Sequence, residues 1–286
     1  RFKGIFSLTN PNYNNSDKSV FVNAQAIEID QLTNFGYKTN KTGFEFGSSF
    51  EHLEDLYITP MFSTYYESVE TSASASSSLK KQEGSYLDIK GSYKIDIDKR
   101  NQAYKPSDGF RSQFTQVIPL NIDSNQTIVN GYELNSYYEY LPDVVGAISL
   151  YGRAANSFGD DDVRISDRLY LPSKKLRGFE PGKIGPVDNG DFIGGNFNTA
   201  LNISSELPIL ESMETTSFNV FFDVANVWGV DYSSAINDSS AIRSATGIGI
   251  EWYTPVGPLS FTLSQPIAQK STDKTESFRF NLGTTF

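Results

Sequence analysis

Apolar and polar residues alternate with a period of two along almost the whole chain, and no sustained helical spacing interrupts them. In YLDIKGSYKIDI (Tyr86–Ile97), Leu87, Ile89, Tyr93, Ile95 and Ile97 fall on one face and Asp88, Lys90, Ser92, Lys94 and Asp96 on the other. Phe197, Leu201, Ile203 and Leu207 oppose Asn196, Asn198, Asn202, Ser204 and Glu206. Phe218, Val220, Phe222, Val224 and Trp228 oppose Asn219, Asp223 and Ala225, and Thr246, Ile248, Ile250 and Trp252 oppose Gly247, Gly249 and Glu251. The ending FRFNLGTTF sets Phe278, Phe280, Leu282 and Phe286 against Arg279, Asn281 and Gly283. Counted this way, the chain holds about thirteen strands, at 2–9, 19–30, 40–51, 57–71, 84–98, 109–120, 126–140, 145–156, 192–207, 215–228, 243–254, 258–266 and 277–286.

Several of these runs exceed ten residues, where soluble sheets mostly use five or six. Their polar faces carry Asn, Asp, Glu, Lys and Arg, and their apolar faces end in Tyr, Phe or Trp. That is the distribution of an all-β fold, a transmembrane antiparallel β-barrel with lipid outside, water inside and aromatic girdles at the rims. Alternation alone leaves a large soluble β-sandwich or β-helix open. Bacterial single-chain barrels close on an even number of strands, so an odd count predicts missing strands and an incompletely closed wall.

Turn signals separate the runs: NPNYNNSD (Asn10–Asp17), KPSDG (Lys105–Gly109), LPD (Leu141–Asp143), PVGP (Pro255–Pro258) and QKSTDK (Gln269–Lys274). The Ser-rich stretch Ser72–Gly84 reads as a mobile outer loop. The connection 157–191 is far longer than a hairpin loop, a length usually reserved for function or disorder. Tyr170, Leu176, Phe179 and Ile184 are spaced through it among Pro and Gly, so it can pack, and the place available is the barrel lumen. Residues 1–286 therefore read as one barrel domain with a lumen-entering loop.

Composition narrows the function. The chain has 286 residues and a net charge of −10, from 24 Lys and Arg against 34 Asp and Glu. Such a balance argues against a nucleic-acid partner, which requires a basic footprint. With no Cys there is no disulfide, thiol nucleophile or thiolate metal site. No apolar run reaches the roughly 18 residues of a spanning helix. The first residue is Arg with no apolar leader after it, so any secretion signal is expected outside this sequence. A hydrolytic triad usually needs a His base, and the sole His, His52, sits at a strand end without a motif, which argues against an enzyme. Asp160, Asp161 and Asp162 could hold Ca²⁺ against lipid phosphates, but a solvated acidic loop is the simpler reading. No metal or cofactor is expected.

Two carboxylates, Glu206 and Asp223, face the lumen on successive strands by the alternation above. A lumen carboxylate invites a bidentate guanidinium, and Arg177 in the long loop is the candidate to pair with Asp223, Glu206 or both. The competing reading is a solvated surface Arg and two ordinary lumen acids.

The motif around that arginine carries a family resemblance. LRGFEPGKIGP (Leu176–Pro186), with Leu176, Arg177, Gly178 and Phe179 at its head, resembles the V/I-R-G-F signature of the sixth extracellular loop in the BamA family of outer-membrane protein assembly factors, the bacterial surface antigens. IGGN (Ile193–Asn196), including Gly194, Gly195 and Asn196, is similar to the G-G-N that follows, and the family's strand glutamate and aspartate fall on Glu206 and Asp223. NVFFDVANVW (Asn219–Trp228), WYTPVGPLSFTLSQP (Trp252–Pro266), the ending FRFNLGTTF, PSDGFRSQFT (Pro106–Thr115) and SLTNPNY (Ser7–Tyr13) resemble further family segments in order. Ala225 stands where the family has Gly. The T-N-P turn belongs near the fourth of sixteen family strands, so three strands and the periplasmic POTRA domains are expected to lie outside this sequence.

The resemblance implies a non-catalytic role in the outer membrane of a Gram-negative bacterium. It implies folding and insertion of other β-barrels through a lateral seam, with Phe278, Phe280, Leu282, Gly283 and Phe286 on the closing strand. It implies unfolded outer-membrane proteins, outer-membrane lipid, lipopolysaccharide and accessory lipoproteins as partners. A TamA-like or two-partner-secretion exporter shares the R-G-F loop, and a passive porin remains a further alternative.

Overall fold

The chain is described by a computed structural model covering residues 2–121, 126–158, 162–210, 215–254 and 257–283. Thirteen strands make one antiparallel sheet, each bonded to its neighbours along the chain. They are β1 (Phe2–Asn10), β2 (Ser19–Gln31), β3 (Tyr37–Leu53), β4 (Leu56–Thr71), β5 (Gly84–Asp98), β6 (Asp108–Pro119), β7 (Thr127–Leu141) and β8 (Val144–Ser157), then β11 (Phe197–Leu207), β12 (Thr216–Trp228), β13 (Arg243–Thr254), β14 (Gly257–Ala268) and β15 (Phe278–Leu282). A two-residue hairpin, β9 (Val187–Asp188) with β10 (Asp191–Phe192), lies inside the long connection between β8 and β11. Among the described residues β1 and β15 each have one partner, so the ladder is not closed into a ring.

Alternation sets what each face carries. Phe44, Phe46, Tyr66, Leu87, Ile148, Ile203, Phe222 and Ile248 are exposed on the outer face. Asp88, Lys90, Asp96, Asn198, Asn202 and Asp223 are buried on the inner one. Apolar surface exposed on this scale is what lipid contact requires. No helix among the described residues is long and apolar enough to cross a membrane.

Connection lengths give the sheet its polarity. The β3–β4, β7–β8 and β13–β14 connections span two residues each, and in the first two the turn is made by Asp55 and Asp143 at positive φ. All three lie at one end, whereas the connections 72–83, 158–196 and 229–242 lie at the other. Short turns mark the periplasmic rim of an outer-membrane barrel and long loops the extracellular rim.

Three expectations shift. The strand expected at 192–207 begins only at Phe197, because Gly195 exchanges backbone hydrogen bonds with Leu169 of the long loop and Asn196 donates to Gly229. A Cβ at Gly195 would lie 2.4 Å from the Trp228 carbonyl oxygen, so only glycine allows that approach. The Ser-rich stretch is built into the structure: Ser76 caps the short helix Ser77–Lys80 by accepting from the Leu79 amide, and Leu79 and Ala75 are buried. The closing strand, expected over 277–286, is Phe278–Leu282 among the described residues.

The two faces predict opposite tolerances. Phe222→Lys, on the outer face at mid-strand, should cost about 2–4 kcal/mol in urea unfolding from lipid vesicles, whereas Ser204→Lys on the inner face should cost little. Equal costs at the two positions would mean that the outer face does not meet hydrocarbon.

Candidate functional site

The connection 158–196 lies along the inner face of the sheet. Its side chains and backbone meet inward residues of β4, β5, β7, β8, β11, β12 and β15, so the sheet curves around it. A wet interior would leave these charges solvated; here loop and wall supply each other's partners.

Asp223 is the innermost of them. β12 turns it inward between Phe221 and Ala225, and it is fully buried. An ionised carboxylate there needs several donors. Arg177 supplies three: Nε to Oδ2 at 2.8 Å, Nη2 to Oδ1 at 2.7 Å, and its own backbone amide to Oδ2 at 2.9 Å. Asn202 on β11, directly opposite Asp223 in register, donates to Oδ1 at 2.9 Å and to the Lys175 carbonyl at 2.9 Å. The guanidinium also lies flat against Phe221, with its carbon 3.5 Å from the ring centroid.

The rest of the motif follows from that contact. Gly178 has φ +89°, and a Cβ on it would stand 3.0 Å from the Ala245 methyl, so backbone sign and close approach both require glycine. Phe179 and Leu176 are buried with Leu171, Ile184, Ala200, Ala225, Val227 and Ala245. Ala225, the departure from the family glycine, thus contributes its methyl to the loop's apolar seat.

Of the partners the sequence left open for Arg177, Asp223, Glu206 or both, the structure gives Asp223, and Glu206 is corrected as a partner of the loop. Its carboxylate lies 3.8 Å from Lys105 Nζ, at the margin of an ion pair. Register explains the difference. Glu206 stands opposite Asn219, four residues nearer the short-turn rim than Asp223, an offset of about 13 Å along the strand. A polar cavity of about 340 Å³, lined by Arg177, Glu206, Asn219 and Glu251 among others, separates the two levels.

Gly194, Gly195 and Asn196 act at the opposite, extracellular end. Asn196 accepts from Arg168 Nη1 at 2.9 Å and donates to Asp231 Oδ2 at 2.9 Å. Arg168 also pairs with Asp231 and stacks on Tyr232 in the connection between β12 and β13. Phe278, Phe280 and Leu282 are exposed on the outer face of β15, with the Phe280 ring tilted against that of Phe261 at a centroid distance of 5.0 Å. Gly283 follows the strand, and Phe286 lies outside the described residues. Asp160 and Asp161 lie outside them too, and no cluster of metal-ligating side chains occurs among the described ones. His52 is exposed at the end of β3.

Alternation missed a second group of anchors. Arg164, almost wholly buried, stacks on Tyr86 and reaches Asp88 at 2.8 Å, Glu67 at 3.2 Å and Asp167 at 3.5 Å. Lys90 joins the cluster 3.2 Å from Asp88. Lys175 bonds Glu133 and Ser149, both at 2.8 Å. Alternation had set Asp88 and Lys90 inward, but nothing in the irregular run VRISDR marks Arg164 as their partner. Asp231, at the extracellular rim, experiences opposing influences. Burial raises its pKa, while the Val163 amide, the Arg168 charge and Asn196 together bring it below the usual carboxylate value.

An antiparallel wall with an apolar outer face, whose own extracellular connection is ion-paired into its interior, defines a lid-bearing transmembrane β-barrel. The chain belongs to the Omp85 superfamily, whose domain model matches residues 1–286. It is 24% identical over 260 residues to the outer membrane protein assembly factor BamA of Neorickettsia risticii, covering 87% of this chain and 34% of that protein. It is 26% identical over 189 residues to the sorting and assembly machinery component 50 homolog of Bos taurus, covering 62% of this chain and 40% of that one. The chain thus spans about a third of the length of the BamA relative. Among solved structures, BamA from Haemophilus ducreyi lacking POTRA domains 1–3 superposes with a TM-score of 0.86 at 22% identity, over 97% of this chain and 61% of that one. CdiB from Escherichia coli reaches 0.50 at 10% identity, over 92% of this chain and 48% of that one.

Two outcomes test this site. Arg177→Ala leaves Asp223 buried without its cation and should cost about 3–5 kcal/mol of barrel stability, read as loss of the heat-resistant folded form, with Arg177→Lys intermediate. For Asp231, a folded pKa below the unfolded value of about 3.9 means its stabilisation is complete above that pH and lost as pH falls through the folded value. Protection of the Val163 amide, which donates to Asp231, should therefore hold at neutral pH and decline only below about pH 4. Asp231→Asn should abolish that acid transition; a Val163 amide already unprotected at neutral pH would contradict the assignment.

Proposed function

We propose that residues 1–286 form the barrel unit of an outer-membrane protein assembly factor. In this role the chain folds and inserts other β-barrel proteins through a lateral seam, in the outer membrane of a Gram-negative bacterium. The reading is supported by the likeness to BamA over most of the chain and to a sorting and assembly machinery component over part of it. The observation that carries it is the closing strand. Among the described residues β15 pairs with β14 over five positions, Leu259–Leu263 against Phe278–Leu282, whereas every other neighbouring pair of the sheet shares at least nine.

The physics is that of an edge in hydrocarbon. A backbone N–H or C=O left unpaired in lipid costs several kcal/mol, so a strand edge held by few partners recruits an incoming one. An unfolded client strand pairing there gains hydrogen bonds that nothing else in the membrane supplies. Loop 157–191 keeps the interior in shape while that edge exchanges partners, with Arg177 and Asp223 as its lock and Gly194, Gly195 and Asn196 as its outer hinge point. Glu206 lines the polar space beneath. The role needs no catalytic residue, metal or cofactor. Its partners are the client strands, the surrounding lipid and lipopolysaccharide, and accessory lipoproteins engaged through parts of the whole protein outside this sequence.

Changing Arg177 to Ala in the full-length gene should lower the amounts of folded outer-membrane proteins several-fold and raise the unfolded pool in the periplasm. Unchanged amounts, together with ion conductance of the purified protein in planar bilayers, would favour a passive porin instead.

A further inference from the structure

The closing strand is held from inside by the same loop that Asp223 locks. Arg279 is the inward residue of β15 opposite Thr262, and its side chain is largely buried. It does not face a wall carboxylate. Nη1 donates to the Ser173 carbonyl at 2.9 Å, Nη2 to the Phe179 carbonyl, and Nε to Glu276 at 2.9 Å. Ser173 and Phe179 bracket Leu176, Arg177 and Gly178, so the guanidinium spans the motif that the buried carboxylate fixes.

Backbone bonds run beside it. Phe179 and Thr275 form an isolated antiparallel bridge, Glu276 N donates to Gly178 O at 3.1 Å, and Glu180 N donates to Lys274 O at 3.0 Å. Lys274 N returns a bond to Lys183 O at 3.1 Å. The segment leading into β15 is pinned from the other side as well, where the buried side chains of Arg243 and Asp273 form a two-pronged pair at 2.9 and 3.0 Å. The five pairs that β15 makes with β14 are therefore supplemented by a clamp on its lumen side.

We infer that Arg279 is a positioning residue for the strand that borders the seam: it couples the lumen loop to the closing strand, so that the strand stays seated on β14 only while the loop is locked. A fork is needed because two carbonyls six residues apart must be met at once, which a lysine ammonium cannot do with comparable geometry. The inference rests on the seam reading above, but its test separates the two. Nothing in the sequence pattern distinguishes this arginine from the other inward polar residues of the chain.

Residues 1–286 contain no cysteine, so pairs introduced among them report cleanly once any cysteine elsewhere in the full-length protein is replaced. In the full-length protein in lipid vesicles, Ser260→Cys with Asn281→Cys places thiols at directly opposite inward positions of β14 and β15, and Asn23→Cys with Glu45→Cys does so between β2 and β3, remote from Arg279. Charge-assisted bonds of this kind hold an equilibrium by about ten-fold or more each. Arg279→Ala should therefore shift the ratio of cross-linked to free thiol in the β14–β15 pair by about ten-fold and leave the β2–β3 pair unchanged, with Arg279→Lys between. Glu276→Gln, which keeps both carbonyl bonds, should stay near the unmodified protein.

Unchanged β14–β15 cross-linking in Arg279→Ala would overturn the coupling. So would an equal fall in both pairs, or a Glu276→Gln variant as loose as Arg279→Ala. A selective fall with client insertion unaffected would establish the coupling and count against the seam as the route of insertion.

Discussion

A carboxylate with no solvent contact has to be supplied with donors from within the fold, and at Asp223 nearly all of them come from one residue of a distant loop. Two guanidinium nitrogens and a backbone amide of Arg177 converge on it, with Asn202 completing the set. Because the amide takes part, the pair fixes the path of the main chain as well as a side chain. Gly178 then has one allowed approach to β13, Phe179 one pocket, and the segment before β15 one surface on which to form its bridge. Losing Arg177 leaves Asp223 charged in a dry place, an asymmetry that makes such pairs costly to break even where they add little net stability.

The charges are distributed with a division of labour. Most pairs set a loop cation, Arg164, Arg168, Lys175 or Arg177, against an acid of the surrounding wall and rim, Glu67, Asp88, Glu133, Asp223 or Asp231, and one, Asp167 of the loop with Lys90 of β5 at 3.4 Å, runs the other way. The acidic balance of the whole chain is thus partly a wall waiting for its plug. Around Arg164 the contacts with Glu67 and Asp167 lie at 3.2 and 3.5 Å without directed hydrogen bonds, so there charge proximity and the Tyr86 ring supplement a single directed bond to Asp88 at 2.8 Å.

Most of the wall was legible because alternation is a local property. A residue's neighbours at plus and minus two settle its face, and the expected faces of β5, β11, β12, β13 and β15 match the exposure observed. What alternation cannot deliver is height. Glu206 and Asp223 share a face and a chemistry, and only the register of β11 on β12 shows that one lies beside the arginine and the other near the rim. Nor can it read the loop, whose residues Arg164, Arg168 and Lys175 follow no period and find their partners by tertiary placement. Arg279 fell on the expected face, yet its partners are backbone carbonyls, which leave no trace in side-chain identity.

The bonds from Arg279 to Ser173 and Phe179 join residues 106 and 100 positions apart. Neither can form until the long connection has descended into the interior. A polypeptide with this wiring completes its last hairpin late, after an entropically expensive search, and exposes that hairpin's edge for the whole interval. The chain that we read as a helper of barrel assembly therefore faces, in its own maturation, the same waiting period at an unfinished edge.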